Sequence, residues 1–174
     1  MDPRFTIIPA TTPTHISTAR TLFTSYADWL ALDLTFQNFS SELASLPGPY
    51  TAPHGALLLA YSTTDPVQPL GCVAVRPLPN HPADAPRPHG GKKKTCEMKR
   101  LYVLPKARGM GLGSALVQAV VRCAKDMGYS EMRLDTLPRM QGAIALYRRA
   151  GFGEIEAYYE TPLEGTVFLG LDLS

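Results

Sequence analysis

Three glycines within six residues, RGMGLG at 108–113, separate a predicted strand at 96–103 (CEMKRLYV) from a predicted helix that runs to about Met127. Glycine lets backbone N–H groups approach an anion closely, and a helix N-terminus adds roughly half a positive charge. Arg108 adds a formal charge and a forked hydrogen-bond donor. The segment therefore predicts an anion-binding turn, with a plain strand-to-helix turn as the alternative, since glycine serves tight turns as well.

The helix after this turn carries an apolar stripe, and Gly128 is typical of the residue that ends a helix. The stripe consists of Leu112, Leu116, Ala119, Val120, Cys123 and Met127. A strand follows at 131–136 (EMRLDT), and Pro138 is suited to start another helix. That helix would carry Ala143, Ile144, Tyr147 and Ala150 on one side and end at Gly151.

Upstream of the turn, the pattern predicts a short strand at 5–9 and a helix that Thr14 caps. The apolar positions of this helix recur at helical spacing and are Ile16, Ala19, Leu22, Phe23, Tyr26, Ala27 and Leu30. A shorter helix is expected over about 38–46, because Pro47 and Pro49 cannot continue it. Buried strands at 55–62 and 69–76 flank turn residues and are expected to pair as a hairpin.

Residues 77–94 hold five prolines and a run of three lysines, which predicts a mobile surface loop. The lysine run is interpreted as a solvated loop tip, with contact to acidic partners as the alternative. Two last strands are expected at about 152–159 and 165–173. The order β-α-α-β-β-β-α-β-α-β-β predicts an α/β chain of the α+β type. We expect one domain over 1–174, with a mixed sheet and helices on its faces.

Length and composition exclude several classes of protein. A chain of 174 residues fits one domain, and a net charge of +2 argues against a dedicated nucleic-acid binder. No apolar run approaches the roughly 20 residues that cross a bilayer, and no signal segment follows Met1. Cys72, Cys96 and Cys123 form no metal-binding pattern, so we expect buried thiols, no metal site and a cytoplasmic location.

Three classes of phosphate site remain to be compared. A P-loop needs Gly-Lys-Ser/Thr at the end of the turn, and Gly113-Ser114 lacks the lysine. A dinucleotide fingerprint needs a third glycine, where this chain has Ser114 or Leu116. Asp135 lies near a strand end at a suitable distance and keeps that alternative open. The chain beyond it, however, is too short for a doubly wound domain.

The third class rests on a resemblance to the GNAT superfamily of N-acetyltransferases, over nearly the whole chain. Its signature Arg/Gln-x-x-Gly-x-Gly/Ala corresponds to RGMGLG at 108–113, and MKRLYVLPKARG at 98–109 resembles the fourth strand that precedes it. AIALYRRAGF at 143–152 is similar to the family's fourth helix and the turn after it. The block 132–170 resembles small, single-domain members. The implied sheet has about seven, mostly antiparallel strands and splays between strands 4 and 5.

The resemblance implies acetyl-CoA as the cosubstrate. The amides of 108–113 would hold its pyrophosphate, and the main chain of 101–103 would pair with pantetheine and polarise the thioester carbonyl at Val103. The expected cofactor-binding residues are Leu101, Tyr102, Val103, Arg108, Gly109, Met110, Gly111, Leu112, Gly113 and Ser114. Met140 stands where many members have a cofactor-binding asparagine, so that side-chain contact is absent, with Arg139 or Gln141 as candidate substitutes.

Two residues are carried over as catalytic. Glu97 would accept the amine's proton through water, and by alternation it would share a strand face with Lys99, Leu101 and Val103. Its alternative is a surface or salt-bridged carboxylate, with the neighbouring Lys99 as the candidate partner. Tyr147 would protonate the departing thiolate, since a phenol remains protonated at neutral pH; its alternative is a core aromatic.

The acceptor is expected on the side opposite CoA. Candidate contacts are Phe36, Phe39, Tyr50, Tyr158 and Tyr159. Glu42 is interpreted as a solvated helix residue, with pairing to a cationic substrate as the alternative. The leading hypothesis is an N-acetyltransferase for a small amine, with no nucleic-acid or membrane partner and a homodimer among the states that relatives adopt. Its alternatives are a protein lysine or N-terminal acetyltransferase and a non-catalytic acyl-CoA-binding module.

Overall fold

A computed structural model of the chain describes residues 4–78 and 93–174, and within them a seven-stranded sheet carries helices on both faces. The elements are β1 Phe5–Pro9, α1 Pro13–Leu30, α2 Phe39–Ser45, β2 Ala56–Ser62, β3 Pro69–Pro77, β4 Thr95–Val103, α3 Leu112–Asp126, β5 Glu131–Thr136, α4 Gln141–Arg149, β6 Gly153–Glu154 and β7 Val167–Asp172. Short 3-10 turns precede α2 at Thr35–Gln37 and α3 at Pro105–Ala107.

The strand order is β1-β2-β3-β4-β5-β7-β6, and neighbouring strands are antiparallel except for β4 and β5. These two pair in parallel only at their first residues, from Thr95 with Glu131 to Glu97 with Arg133. Beyond Glu97, β4 has no ladder partner on that side among the residues that the structure describes. The predicted splay between strands 4 and 5 is therefore confirmed, together with the fold class, and it leaves an opening in the middle of the sheet.

A β-bulge interrupts β4 at Arg100, whose φ is +59°. Lys99 pairs with Ala74 and Tyr102 pairs with Cys72, so two residues of β4 stand opposite one residue of β3. The bulge makes the predicted strand face wrong beyond Lys99, because alternation holds only without an inserted residue. Tyr102 joins the core cluster beneath α1, whereas Leu101 and Val103 pack against the cluster beneath α3.

Two apolar clusters hold the helices to opposite faces of the sheet. Beneath α1, Ala19, Leu22 and Phe23 pack on β2 and β3. Beneath α3, Leu116 and Val120 are fully buried, as predicted, and so are Val117 and Ala124, which the predicted stripe omits. Cys123 and Met127 are only half-buried, so the apolar stripe of α3 is rotated toward Val117 from its predicted position.

Several element ends differ from their predictions. The N-cap of α1 is Thr12, whose hydroxyl accepts a hydrogen bond from the backbone N–H of His15, rather than Thr14. Helix α4 begins at Gln141 rather than Pro138, because the chain first makes a turn in which Met140 donates to the Leu137 carbonyl. The strand expected at 152–159 is only Gly153–Glu154. Of the predicted loop 77–94, residues 79–92 lie outside the described residues.

The three cysteines are free thiols, and burial raises the pKa of Cys72 and of Cys96 to about 12. Cys123 is half-buried. Such thiols are poor nucleophiles, because the thiolate is the reactive form. In the described ranges, no helix combines the length and the apolar character that a membrane crossing requires.

Candidate active site

A groove of about 550 Å³ runs beside β4 where β5 has separated from it, and the start of α3 and the turn into α4 line it as well. Nine of the ten predicted cofactor-binding residues line this groove: Leu101, Tyr102, Val103, Arg108, Gly109, Gly111, Leu112, Gly113 and Ser114. Met110 instead packs against the core cluster beneath α3. The structure thus brings the predicted phosphate turn and the predicted pantetheine edge into one groove.

The glycine turn owes its shape to backbone conformation. Gly109 and Gly111 both have a φ of +77°, a region that side chains disfavour, although a Cβ at either position would meet no heavy atom within 4 Å. Gly111 is the N-cap residue of α3, and no side chain of the described residues caps this helix end. Backbone N–H groups at the start of α3 are therefore left for an anion in the groove.

The last two residues of α1, Trp29 and Leu30, contact two arginines that line the groove, Arg108 and Arg139. Arg108 donates from Nε to the carbonyl oxygen of Val103 at 3.2 Å, and its guanidinium lies over the Trp29 ring at 4.8 Å. On the other side, Arg139 donates to the Leu30 carbonyl. Trp29 is 40% exposed and lines the groove. This role was not predicted from the sequence, because apolar periodicity identifies the buried positions of a helix rather than its exposed ones.

A second, smaller cavity of about 70 Å³ lies deeper in the opening between β4 and β5. It shares Leu101, Met140 and Ala143 with the groove, so the two spaces adjoin. Its polar lining comes from α1, the 3-10 turn before α2, β4, β5 and α4, and includes Tyr26, Gln37, Lys99, Arg100, Asp135, Thr136 and Tyr147. We call it the inner cavity.

Tyr147 lines the inner cavity and packs edge-to-face on Phe152, with 5.9 Å between ring centroids. Burial raises the pKa of its hydroxyl, and the nearby Tyr26 and Asp135 raise it further. The phenol therefore remains protonated at neutral pH and can act only as a proton donor. Tyr147 therefore lies on the cavity side of α4 with its proton retained.

Glu97 is 2% exposed and is not among the residues that line the groove or the inner cavity. Its Oε1 accepts from Arg76 at 2.8 Å, and its Oε2 accepts from the Tyr158 hydroxyl at 2.7 Å. Burial alone would raise the pKa of Glu97, but Lys99, Arg76 and the two hydrogen bonds outweigh burial and lower it. The structure thus agrees with a salt-bridged carboxylate, although the partner is Arg76 rather than Lys99.

Glu42 is not the solvated helix residue that we predicted. Its side chain is 10% exposed and its Oε2 accepts from Arg100 Nε at 2.8 Å, while its Oε1 accepts from the Tyr50 hydroxyl at 2.5 Å. Arg100 also donates to Gln37 at 3.0 Å and lies over the Phe39 ring at 5.0 Å. The prediction failed because Glu42 and Arg100 are 58 residues apart in the sequence.

Four of the five predicted acceptor contacts lie around this network. Phe36 is half-buried in the 3-10 turn, Phe39 packs on Arg100, Tyr50 is core, and Tyr158 holds Glu97. None of the four is among the described residues that line the groove or the inner cavity. In their place the structure brings Gln37, Lys99, Arg100 and Asp135 to the cavity. The available signal was the pair of adjacent cations, Lys99 and Arg100, within the predicted strand CEMKRLYV.

Within the described parts of the chain, no group of three or more His, Cys, Asp or Glu side chains has the arrangement of a metal site.

Comparison with known proteins gives a consistent result. The model of the "Acetyltransferase (GNAT) family" matches residues 22–152. The chain is 38% identical to an uncharacterized N-acetyltransferase of Schizosaccharomyces pombe, covering 93% of this chain and 91% of that protein. It is 31% identical to one of Dictyostelium discoideum, covering 91% and 94%.

Solved structures share the fold. A putative acyl-CoA N-acyltransferase from Klebsiella pneumoniae superimposes with a TM-score of 0.68 at 24% identity, covering 99% of this chain and 100% of that one. Arabidopsis thaliana NAA60 in complex with acetyl-CoA superimposes with a TM-score of 0.70 at 15% identity, covering 97% and 98%.

Proposed function

The chain belongs to the GNAT family of acetyltransferases, and from this premise we propose that it transfers the acetyl group of acetyl-CoA to a primary amine of a small molecule. The observation that carries the proposal is the contact between the groove and the inner cavity at Leu101, Met140 and Ala143. A thioester lying in the groove would reach the inner cavity there. The amine attacks the thioester carbon directly within a ternary complex.

Acetyl-CoA would bind with its pyrophosphate at the N-terminus of α3. The free N–H groups of that helix end and the Arg108 guanidinium favour this orientation, because both stabilise negative charge. The pantetheine arm would follow the edge of β4 at Leu101–Val103, which has no ladder partner toward β5. The Val103 N–H would polarise the thioester carbonyl as an oxyanion donor.

The chemistry requires two proton transfers. As the amine nitrogen bonds to the carbonyl carbon and the C–S bond breaks, Tyr147 donates its proton to the thiolate. The amine must lose a proton to attack, and the carboxylate among the residues of the inner cavity is Asp135. We therefore propose Asp135 as the proton acceptor and assign Glu97 a positioning role, since both of its oxygens accept hydrogen bonds.

The lining of the inner cavity favours a small molecule over a protein. A lysine side chain would bring four methylene groups past Lys99, Arg100 and Asp135, which offer polar rather than apolar contacts. A compact polar amine can use these groups as hydrogen-bond partners. Protein lysines, protein N-termini and a non-catalytic acyl-CoA-binding role are the outcomes that a first experiment must separate from the proposal.

That experiment measures CoA thiol release by the purified protein with acetyl-CoA and three acceptor sets: small amines, a peptide with a free N-terminus and an N-blocked peptide with one lysine. Release with small amines alone, and an acetylated product by mass spectrometry, supports the proposal. Preference for a peptide overturns the substrate class. Stabilisation by acetyl-CoA, about 2.7 kcal/mol at 100 times its Kd, without turnover on any acceptor indicates a binding module.

A further inference from the structure

The guanidinium of Arg100 is buried with one nitrogen unused. Its side chain is 3% exposed; Nε donates to Glu42 at 2.8 Å and Nη1 donates to Gln37 at 3.0 Å. Nη2 is buried and has no hydrogen-bond partner among the described residues. Leaving a charged donor unpaired in the interior is unfavourable, and Arg100 lines the inner cavity. A ligand bound in this cavity is therefore a candidate to supply the acceptor oxygen that this nitrogen lacks.

The backbone at Arg100 supports a functional explanation. A φ of +59° is uncommon for a side chain other than glycine, and it occurs within a strand, at the bulge. Because of this bulge, consecutive residues Lys99 and Arg100 both line the same cavity instead of pointing to opposite faces. Backbone strain of this kind is tolerated where it arranges side chains for function.

Lys99 supplies a second donor. It is 8% exposed, and its Nζ donates to Gln37 at 3.3 Å, the same amide oxygen that Arg100 uses. Burial lowers the pKa of Lys99, with Arg100 and Arg76 acting in the same direction and Glu97 and Asp135 opposing them. A carboxylate bound beside Lys99 would offset the effects of burial, Arg100 and Arg76, which all lower this pKa.

Among the charged residues around the inner cavity, four form two ion pairs, and Lys99 and Asp135 stand outside these pairs. Glu42 neutralises Arg100, and Glu97 neutralises Arg76. Lys99 and Asp135 are left, a cation from β4 and an anion from β5. A ligand that complements this cavity carries an anionic group for Lys99 and Arg100 and a cationic amine for Asp135.

We propose that the acceptor is an amine that also carries a carboxylate, of the amino-acid class, and that Arg100 Nη2 and Lys99 Nζ donate hydrogen bonds to that carboxylate. The proposal rests on the proposed function and names its substrate class. Arginine suits a carboxylate because its planar donors match the two oxygens. Asp135 then faces the amine, which lies toward Tyr147 and the groove.

The test compares each L-amino acid of a panel with its primary amide and its decarboxylated amine, which keep the amine and remove the charge. We expect kcat/KM for the best amino acid to exceed that of its amide by at least about ten-fold. Equal values across each set overturn the substrate class but leave the proposed function intact. If no amine is acetylated, the proposed function fails, and calorimetric binding of amino acid against amide to the CoA-loaded protein still tests the carboxylate subsite.

Two variants assign the subsite to its residues. R100K keeps a cation beside Glu42 but removes the second guanidinium nitrogen, and K99M removes the charge without leaving an ion-pair partner. Each should lower the amino-acid-to-amide ratio of kcat/KM by about ten-fold. K125M, which changes an exposed lysine at the end of α3, should keep the ratio. An equal loss on both substrates in R100K and K99M would indicate a structural role only and would overturn the assignment.

Discussion

Arg76 and Glu97 stand opposite each other on β3 and β4 and form an ion pair at 2.8 Å, with Glu97 2% exposed. The second carboxylate oxygen accepts from Tyr158, which lies in the chain between β6 and β7. This arrangement ties both sides of the β4–β5 opening together. Glu97 is therefore better placed to stabilise the walls of the active site than to exchange protons with a substrate.

The first prediction is that E97Q destabilises the fold in a pH-dependent way. The pKa of Glu97 is lowered below its usual 4.5, so its ionised form contributes stability above about pH 4.5 and loses it as the pH falls through the folded-state pKa. We expect E97Q to lower the free energy of unfolding by about 1–3 kcal/mol at pH 7, and by less at pH 3. Urea unfolding at the two pH values measures this difference.

The matched control for E97Q is E154Q. Glu154 pairs with Arg148 at 2.6 Å, but both side chains are well exposed, at 67% and 59%. Exposed pairs contribute about 0–1 kcal/mol, so E154Q should change stability little at either pH. A loss in E154Q as large as that in E97Q would show that burial is not the cause.

Local patterns in the sequence were enough to predict the helix and the glycine turn that line the groove. The apolar periodicity of α3, the glycines at 109 and 111 and the stop at Gly128 each act within a few residues. The resemblance added the order of the elements and the splay. Nine of the ten predicted cofactor residues accordingly lie along one groove, whereas the start of α1, capped by Thr12, and the start of α4 at Gln141 differ from their predictions by two or three residues.

Local sequence patterns could not predict the inner cavity or the contacts of its side chains. Alternation cannot reveal a bulge, so the prediction that Leu101 and Val103 share a strand face with Glu97 was wrong. The hydrogen bonds of Glu97 reach 21 and 61 residues along the chain, and Arg100 reaches back 58 residues to Glu42. Contacts of that range depend on how the helices pack on the sheet, which no local pattern specifies.

A second prediction concerns the turn at the start of α3. G111A places a side chain at a φ of +77°, which costs roughly 1 kcal/mol of stability. Because this residue is the N-cap of α3, any relaxation moves the N–H groups proposed to bind phosphate, and the affinity for acetyl-CoA should fall about ten-fold. Calorimetry with acetyl-CoA measures the change.

The control for this substitution is G128A. Gly128 has a φ of +80°, and a Cβ there would also meet nothing within 4 Å, but it follows the opposite end of α3. Its loss of stability should match that of G111A, while its affinity for acetyl-CoA stays that of the wild type. Equal affinity losses in both variants would mean that general strain, not the phosphate turn, weakens binding.

A third prediction separates Asp135 from Glu97 as the proton acceptor. D135N keeps the size of a side chain that lines the inner cavity but cannot accept a proton, so kcat/KM should fall about 10²-fold at pH 7. The deficit should shrink as the pH rises toward the pKa of the acceptor amine, because more amine is then already neutral. Folded E97Q should keep most of its turnover; a large deficit in E97Q with little in D135N would restore Glu97 as the base.

The fourth prediction is that Y147F lowers kcat about 10²-fold while the affinity for acetyl-CoA is unchanged. Tyr147 lines the inner cavity, and burial raises the pKa of its hydroxyl, so the phenol still carries its proton when the C–S bond breaks and the thiolate forms. Product release must not limit the measurement, so single-turnover rates with excess protein are compared at pH 7 and pH 9. Because the phenol does not ionise in this range, its contribution should be the same at both pH values.

The matched control for Y147F is Y129F. Tyr129 is buried on the same face of the sheet but donates its hydroxyl to the His54 carbonyl, away from both cavities. Y129F should lose stability and keep the single-turnover rate, because its hydroxyl serves the fold. If Y147F instead kept the wild-type rate at both pH values, the thiolate would have to take its proton from another group, and Tyr147 would be a core aromatic.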